Sequence, residues 1–166
     1  MPELQNEIDV FISYNRADET WTRELATRLE REKLNGEVDS RTLNVFFAPW
    51  DIDAGENILN RINDGLSKAR FVAIVMSPEF FNSDWTNLEW THLVAADPVN
   101  RKRRIIPILY RSESLKDKTE RIEPPAPFRV LNWIDFRNPH EFEAQFHKLV
   151  FRIIVERSQN AGQPVR

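Results

Sequence analysis

Five short apolar runs alternate along the chain with longer stretches in which apolar residues recur every three or four positions. The runs have the length of β-strands: DVFISY (9–14), LNVFFA (43–48), FVAIVMS (71–77), RIIPILY (104–110) and RVLNWIDF (129–136). The longer stretches carry helical stripes that we assign to the core: Trp21, Leu25, Leu29; Ile58, Ile62, Leu66; and Phe142, Phe146, Leu149, Val150, Ile153, Ile154. This alternation predicts an α/β fold, a parallel sheet with helices on both faces.

Two local features refine the pattern. Pro107 interrupts the fourth strand, and because proline cannot donate to the ladder, we expect that strand in an irregular or edge-like position. Asp53 and Glu56 have the spacing of a helix-capping pair, with Gly55 in the turn before the second helix.

The chain length of 166 residues suits one domain with its own core. We place this domain at residues 8–157. Residues 1–7 are interpreted as a polar N-terminal tail, and residues 158–166 as a polar C-terminal tail that could be the stub of a linker.

The charges and the amino-acid content argue against several classes of partner. The formal net charge is −3 and acidic and basic residues are mixed along the chain, so we expect no nucleic-acid binding. No apolar run approaches the roughly 20 residues that a membrane span needs, and we expect no membrane association. The absence of cysteine removes disulfides, thiolate ligands and cysteine nucleophiles, and it fits a cytoplasmic location.

The scarcity of glycine and histidine narrows the possible cofactors. The four glycines, at positions 36, 55, 65 and 162, can form neither a dinucleotide fingerprint nor a phosphate loop. The three histidines, His92, His140 and His147, do not have the spacing of a metal site, so we expect no metal and no resident cofactor. The basic run RKRR (101–104) precedes the fourth strand, and we interpret it as a solvated turn.

The strand pattern also predicts where a ligand would bind. Open α/β sheets bind ligands beyond the carboxyl ends of the strands, where the strand order reverses. In a five-stranded sheet of order 2-1-3-4-5, this point lies between the first and third strands. The first strand ends in SYNR (13–16), and the third ends at Ser77 and leads into SPEFFNSDWTNLEW (77–90). Both segments are expected to flank one cleft.

Three motifs in this order, DVFISY (9–14), WDIDAGENI (50–58) and SPEFFNSDWTNLEW, resemble those of TIR (Toll/interleukin-1 receptor) domains of the bacterial, NAD-cleaving kind. The resemblance covers roughly residues 8–157. It implies a flavodoxin-like five-stranded sheet and an enzyme that cleaves NAD+ to nicotinamide and ADP-ribose or a cyclic isomer. The family's W-x-x-x-E pattern falls on Trp85 and Glu89, so the resemblance implies that Glu89 is catalytic.

A single carboxylate suits this reaction. The nicotinamide of NAD+ is a cationic pyridinium that departs as a neutral molecule, so the transition state mainly requires an anion near the ribosyl oxocarbenium. Glu89 would orient the nicotinamide-side ribose and offset this positive charge. On a helical wheel Glu89 lies at the margin of an apolar stripe, and periodicity alone fits an ordinary solvated glutamate equally well. Trp85 could wall the pocket or fill the core.

The remaining candidate substrate contacts come from the same motifs. Arg16 could meet the pyrophosphate or the ribose, and Asn15 could do the same or form a polar turn. Asp53 and Asn57 could form the other wall or cap the following helix, and Trp50 could supply a stacking surface. The full set of predicted substrate contacts is Ser13, Tyr14, Asn15, Arg16, Trp50, Asp53, Asn57, Ser77 and Trp85.

Self-association and two rival functions complete the predictions. Trp90 is expected on the exposed side of its helix and, with the 48–57 loop, could form TIR–TIR contacts that activate the enzyme. We favour an effector enzyme of antiphage defence. One alternative is a non-enzymatic TIR interaction module. A second is a response-regulator relative, which would need clustered acidic residues at the end of the first strand, and SYNR has none. Ala54 stands where adaptor-type loops commonly carry proline, which favours the enzyme, whereas Ala48 and Asn57 depart from the enzyme pattern.

Overall fold

The computed structural model describes residues 8–33, 41–48, 54–55, 58–77, 104–110 and 132–160. Within these ranges the strands are β1 (Ile8–Ser13), β2 (Val45–Phe46), β3 (Ala69–Met76), β4 (Ile105–Leu109) and β5 (Ile134–Asp135). The α-helices in the same ranges are α1 (Glu19–Glu30), α2 (Ile58–Lys68) and α3 (Phe142–Asn160). Short 3₁₀ turns at Arg16–Asp18 and Pro139–Glu141 lead into α1 and α3.

The strands form one parallel sheet in the order β2-β1-β3-β4-β5. Val10 on β1 pairs with Val45 on one side and with Phe71 on the other. The chain therefore moves outward from β1 to β2 and returns to the opposite side of β1 for β3, so the strand order reverses between β1 and β3. This confirms the predicted flavodoxin-like topology, and the point of reversal is where ligands bind in open α/β sheets.

Side chains alternate along each strand, so each face of the sheet has its own core. On one face Val10, Ala73 and Ile108 pack with buried residues of α1 and α3, and this core includes Leu25, Leu29, Phe146, Leu149, Val150 and Ile153. On the other face strand residues pack with α2, and this second core includes Phe11, Phe46, Ile62, Leu66, Val72, Ile74 and Met76. The predicted helical stripes are thus confirmed, with Trp21, Phe142 and Ile154 half-buried against the first core. The side chain of Ile58 is not among those that the structure describes.

A glycine lets α2 approach the sheet closely. A Cβ atom on Gly65 would lie 3.1 Å from Cε2 of both Phe11 and Phe46. These two rings are stacked with centroids 4.7 Å apart. Helix propensity disfavours glycine here, so the close contact with the stacked rings explains its presence.

The prediction for Pro107 was wrong, because β4 lies between β3 and β5 and Pro107 pairs with Ile74 in the middle of the sheet. The N–H of Tyr110 donates to Met76 O on β3, and alternate residues of a parallel strand direct their N–H groups to the same side. Position 107 therefore directs its missing donor toward β5. Since the described part of β5 pairs with Ile108 and Leu109, Pro107 breaks no ladder bond to the described residues on that side.

The interpretation of RKRR (101–104) as a solvated turn was wrong for Arg104. Residues 101–103 lie outside the described ranges. The Arg104 Nε donates to Ala69 O at 3.1 Å, and its guanidinium also donates to Leu66 O at the end of α2. Burial lowers the pKa of Arg104. This side chain joins the start of β4 to the α2–β3 connection.

At the amino-terminal edge of the sheet a buried carboxylate is bound by two arginines. Asp9 has no exposed surface, and it accepts hydrogen bonds from Arg41 (2.7 and 3.1 Å), Arg70 (3.0 Å) and the backbone N–H of Asn44 (2.7 Å). Burial alone would raise the pKa of Asp9, but these donors and the charge of Arg41 hold it below its ordinary value. Arg70 also donates to Ile153 O of α3, so the network joins β1, β3, α3 and the segment before β2.

The predicted domain limits of 8–157, with polar tails on either side, stay a prediction. None of the helices in the described part of the chain is long and apolar enough to cross a membrane.

Candidate functional site at the carboxyl edge of the sheet

Serines end the two central strands on either side of the crevice. Ser13 closes β1 and Ser77 directly follows β3, and both side chains are buried, with 7% and 0% of their surface exposed. By strand alternation Ser13 points to the α2 face with Phe11, whereas Ser77 points to the α1 face with Ala73. The predicted pair therefore lies at one edge of the sheet, but on opposite faces.

The chain leaving β1 forms a tight capped turn. The Asn15 side-chain oxygen accepts a hydrogen bond from Ala17 N at 2.9 Å, and Asp18 N donates to Asn15 O at 2.8 Å. Asn15 thus has the turn role that the sequence analysis weighed against substrate binding. Arg16 lies on this turn and is exposed. The turn directs the next acidic residue, Asp18, into the protein.

Asp18 is bonded to the end of β3. Only 2% of its surface is exposed, and its carboxylate accepts a hydrogen bond from the Ser77 hydroxyl. One turn along α1 lies Thr22, which is fully buried and whose hydroxyl has no hydrogen-bond partner within the described part of the chain. Two buried oxygen-bearing side chains of α1 therefore lie on the inner side of this helix near the crevice.

Tyr14 lies on the other side of the turn, next to β2. Its ring packs on Phe47 with centroids 5.3 Å apart, and the Arg23 guanidinium carbon lies 5.3 Å from the centre of the same Phe47 ring. Burial and the nearby charge of Glu19 raise the pKa of Tyr14 to about 12, against the opposing charges of Arg23 and Arg16. The half-buried phenol therefore stays neutral at physiological pH and can donate a hydrogen bond.

An aromatic pair lies at the carboxyl end of β4. Tyr110 follows β4, its N–H donates to Met76 O, and its ring stacks on Trp21 with centroids 3.9 Å apart. The rings of Trp21 and Phe136 also meet in an edge-to-face arrangement, with centroids 5.4 Å apart. Helical spacing places Trp21 in the core, whereas Tyr110 has no sequence signal because a lone tyrosine at a strand end has no distinctive spacing.

Asp18 and Thr22 likewise have no distinctive sequence signal. An acidic residue just before an amphipathic helix has the pattern of an ordinary N-cap, so the sequence favours a local role for it. No spacing rule indicates that such a side chain reaches the end of another strand. Only the parallel pairing of β1 with β3 brings Ser77 within reach of Asp18.

Several predicted site residues lie outside the described ranges. They are Glu89, Trp85, Trp50, Asp53 and Asn57, together with the proposed contact residue Trp90 and the capping pair of Asp53 with Glu56. Gly55 is described, and its φ of 88° lies in the left-handed region that suits glycine in the predicted turn. Within the residues that the structure describes, no group of three or more His, Cys, Asp or Glu side chains could hold a metal ion.

A family model described as the TIR domain matches residues 10–150. This chain belongs to the TIR domain family. The recognition made from the three motifs is therefore confirmed, and the TIR fold agrees with the sheet order that the strands show.

Curated proteins similar to this TIR domain include the 2′ cyclic ADP-D-ribose synthase AbTIR of Acinetobacter baumannii. It is 33% identical over 112 residues, which are 67% of this chain and 38% of that protein. The NAD(+) hydrolase TcpA of a Theionarchaea archaeon is 34% identical over 103 residues, which are 61% of this chain and 28% of that protein. The chain thus spans well under half the length of these two relatives.

Solved structures show the same fold. The crystal structure of the TIR domain of the Toll-related receptor TRR-2 from Hydra magnipapillata matches with a TM-score of 0.66 at 23% identity. That match covers 88% of this chain and 98% of the Hydra domain.

Proposed function

We propose that this TIR domain is an NAD+ glycohydrolase that cleaves the nicotinamide–ribose bond to give nicotinamide and ADP-ribose or a cyclic ADP-ribose isomer. The observation that carries the proposal is the W-x-x-x-E motif at Trp85 and Glu89, in the segment that follows β3 at the crevice. Relatives named for NAD+ hydrolysis and for cyclic ADP-ribose synthesis support it, with a third of the aligned residues identical.

The reaction needs few protein groups. The bond between C1′ of the ribose and the pyridinium nitrogen breaks, and its electron pair goes to nitrogen, so nicotinamide leaves as a neutral molecule. C1′ then forms a bond to water, whose proton passes to solvent, and the product is ADP-ribose. Attack by a hydroxyl of the same molecule, which loses its proton in the same way, gives a cyclic isomer. NAD+ is the substrate and no further cofactor takes part.

Glu89 is the proposed catalytic residue. Its carboxylate would contact the hydroxyls of the nicotinamide-side ribose and stabilise the oxocarbenium character that develops at C1′. Removing such a preorganised group typically costs about two to three orders of magnitude in rate.

The proposed substrate contacts surround this residue. Among those described, Tyr14 offers a neutral hydroxyl and Arg16 an exposed cation beside the end of β1, which suits the ribose and the pyrophosphate. The buried Ser77 hydroxyl donates a hydrogen bond to Asp18, which favours an indirect role for Ser77 over direct contact with the substrate. The other proposed contacts are Ser13, Asn15, Trp50, Asp53, Asn57 and Trp85.

Self-association and biological role belong to the same proposal. TIR–TIR contacts through Trp90 and the 48–57 loop would complete the pocket, so activity would rise with protein concentration. We further propose that the protein acts in the cytoplasm as an effector of antiphage defence, where loss of NAD+ or the cyclic product is the output.

The test is nicotinamide release from NAD+ by purified protein over a range of concentrations, with products separated by chromatography. Glu89→Gln is expected to lower the rate about 100- to 1000-fold. Asp84→Asn, which changes a carboxylate in the same segment outside the motif, is the matched control and should stay close to wild type.

Each other outcome overturns part of the proposal. Equal release by wild type and Glu89→Gln removes Glu89 from the mechanism. An undiminished specific rate on dilution to nanomolar protein contradicts activation by assembly. No release at high protein concentration, together with self-association in solution, favours a non-enzymatic interaction module.

A further inference from the structure

The hydrogen bond between Asp18 and Ser77 joins residues that are far apart in sequence and belong to different sides of the crevice. Asp18 ends the turn that follows β1, and Ser77 is where the chain leaves β3. Both side chains are almost completely buried, at 2% and 0% exposure. Neither can contact a bound ligand from this position, so any role in a reaction must be exerted through neighbouring residues.

The position of Asp18 makes this contact unusual. Asp18 is the N-cap residue of α1, where an aspartate side chain ordinarily accepts a hydrogen bond from the first turn of its own helix. Here the side chain makes no such cap bond and accepts the Ser77 hydroxyl proton instead. The helix N-terminus still favours the negative charge, so α1 supports a carboxylate that is directed to another strand.

Both ends of this bond are connected to proposed site residues. On one side Asn15 caps the turn that carries Arg16 and directs Asp18 inward. On the other side Ser77 is followed without interruption by the segment that contains Trp85 and Glu89. A bond at this point fixes where that segment starts relative to the turn.

We propose that Asp18 is a positioning residue that, through its hydrogen bond to Ser77, sets the placement of the Glu89 segment against the β1 turn. The inference rests on the proposed NAD+ cleavage. A displacement of a reacting group by about 1 Å can cost roughly 100-fold in rate, so loss of this bond would act mainly on kcat. The proposed substrate contacts outside this segment, such as Tyr14 and Arg16, remain, so KM should change less than kcat.

The kinetic test compares Ser77→Ala and Asp18→Ala with Asp18→Asn, whose amide oxygen can still accept the Ser77 proton. The alanine variants should lose about 10- to 100-fold in kcat with KM within about threefold of wild type, and Asp18→Asn should keep most of the activity. The double alanine variant should lose less than the product of the two single losses, because both substitutions remove the same bond. Ile106→Val, a small core deletion in β4, controls for general destabilisation.

A second readout does not depend on turnover. Hydrogen–deuterium exchange of the peptide covering residues 78–90 should accelerate in Ser77→Ala and Asp18→Ala, but not in Ile106→Val. If Ser77→Ala does not fold, Ser77→Cys replaces it, since the thiol has a similar size and is a weaker donor. Exchange in this peptide should then rise by a smaller amount.

The two proposals fail in different ways. Absence of nicotinamide release by wild type overturns the proposed function, while the exchange measurement still decides whether Asp18 positions the segment. Unchanged exchange in the alanine variants overturns the positioning role, as does a wild-type kcat in folded Ser77→Ala. A kcat loss of the same size in Ile106→Val also overturns it, because the effect would then be general.

Discussion

The two edges of the sheet bury polar side chains in different ways. At the amino-terminal edge the Asp9 carboxylate has charged donors from Arg41 and Arg70 and a backbone donor as well. At the carboxyl edge Asp18 accepts from a neutral hydroxyl, and one helical turn away the hydroxyl of Thr22 has no partner among the described residues. The described contacts of the first edge include charged donors, whereas the second edge buries one neutral hydroxyl, that of Thr22, without a partner among the described residues.

This difference separates stability from function. A buried charge that is paired and fully hydrogen-bonded holds neighbouring segments in one arrangement, and the Asp9 network connects β1, β3, α3 and the segment before β2 in this way. Incompletely satisfied polar groups are usually retained at sites where chemistry or binding needs them. The carboxyl edge is therefore where we expect substitutions to change activity more than stability.

The largest effect is expected at Asp9. Asp9→Ala leaves the Arg70 guanidinium, only 17% exposed, without its carboxylate, and breaking a buried pair in this way typically costs about 3–5 kcal/mol. Urea unfolding measures this loss. Asp64→Ala removes a carboxylate from the exposed pair with Lys68 and should cost less than about 1 kcal/mol. Equal losses in the two variants would show that the amino-terminal edge contributes no special stability.

The same contrast has a pH dependence with a defined sign. The folded-state pKa of Asp9 lies below its ordinary value of 3.8, so the stability that its charge contributes is present above that value. This contribution is lost as the pH falls through the folded-state pKa. The gap in unfolding free energy between wild type and Asp9→Asn should thus be constant near neutral pH and close below about pH 4. A gap that closes above pH 6 would contradict the assignment.

A smaller effect of opposite sign is expected at Thr22. Thr22→Val keeps the side-chain shape and removes a buried hydroxyl without a partner, so it should raise the unfolding free energy by about 1 kcal/mol. Thr27→Val is the control on the same helix, because the Thr27 hydroxyl donates to Arg23 O at 2.8 Å and its loss should give no gain. A clear loss of stability in Thr22→Val would mean that the carboxyl edge is as well satisfied as the other.

The smallest effect is spectroscopic and concerns Tyr14. Its phenol should ionise near pH 12, so a folded sample at pH 10–11 should lack the phenolate absorbance of this residue. Tyr14→Phe assigns the signal, since the chain has only two tyrosines. Glu19→Gln should shift the midpoint to lower pH, because the Glu19 charge raises it. Ionisation of Tyr14 at its ordinary pKa of 10.0 would contradict the half-buried position beside Phe47.

Much of the fold could be predicted from the pattern of residues. Apolar runs of strand length and stripes of helical spacing predicted the five strands and the buried faces of α1 and α3, and three motifs predicted the TIR family. Strand ends were less predictable: within residues 132–136, the described part of the run at 129–136, β5 comprises Ile134–Asp135. Pro107 was misplaced because the missing donor matters only where a neighbouring strand would accept it.

The sequence by itself therefore determined the alternation of strands and helices, the sheet order and the family, because these follow from local periodicity and from motifs read along the chain. Tertiary structure alone decided that Asp9 is buried between two arginines and that Asp18 reaches Ser77. The partners in these contacts are 32 to 61 positions apart in sequence. Which distant groups meet depends on the register of the parallel strands and on the face to which each side chain points, and this is not encoded in the spacing of any single segment.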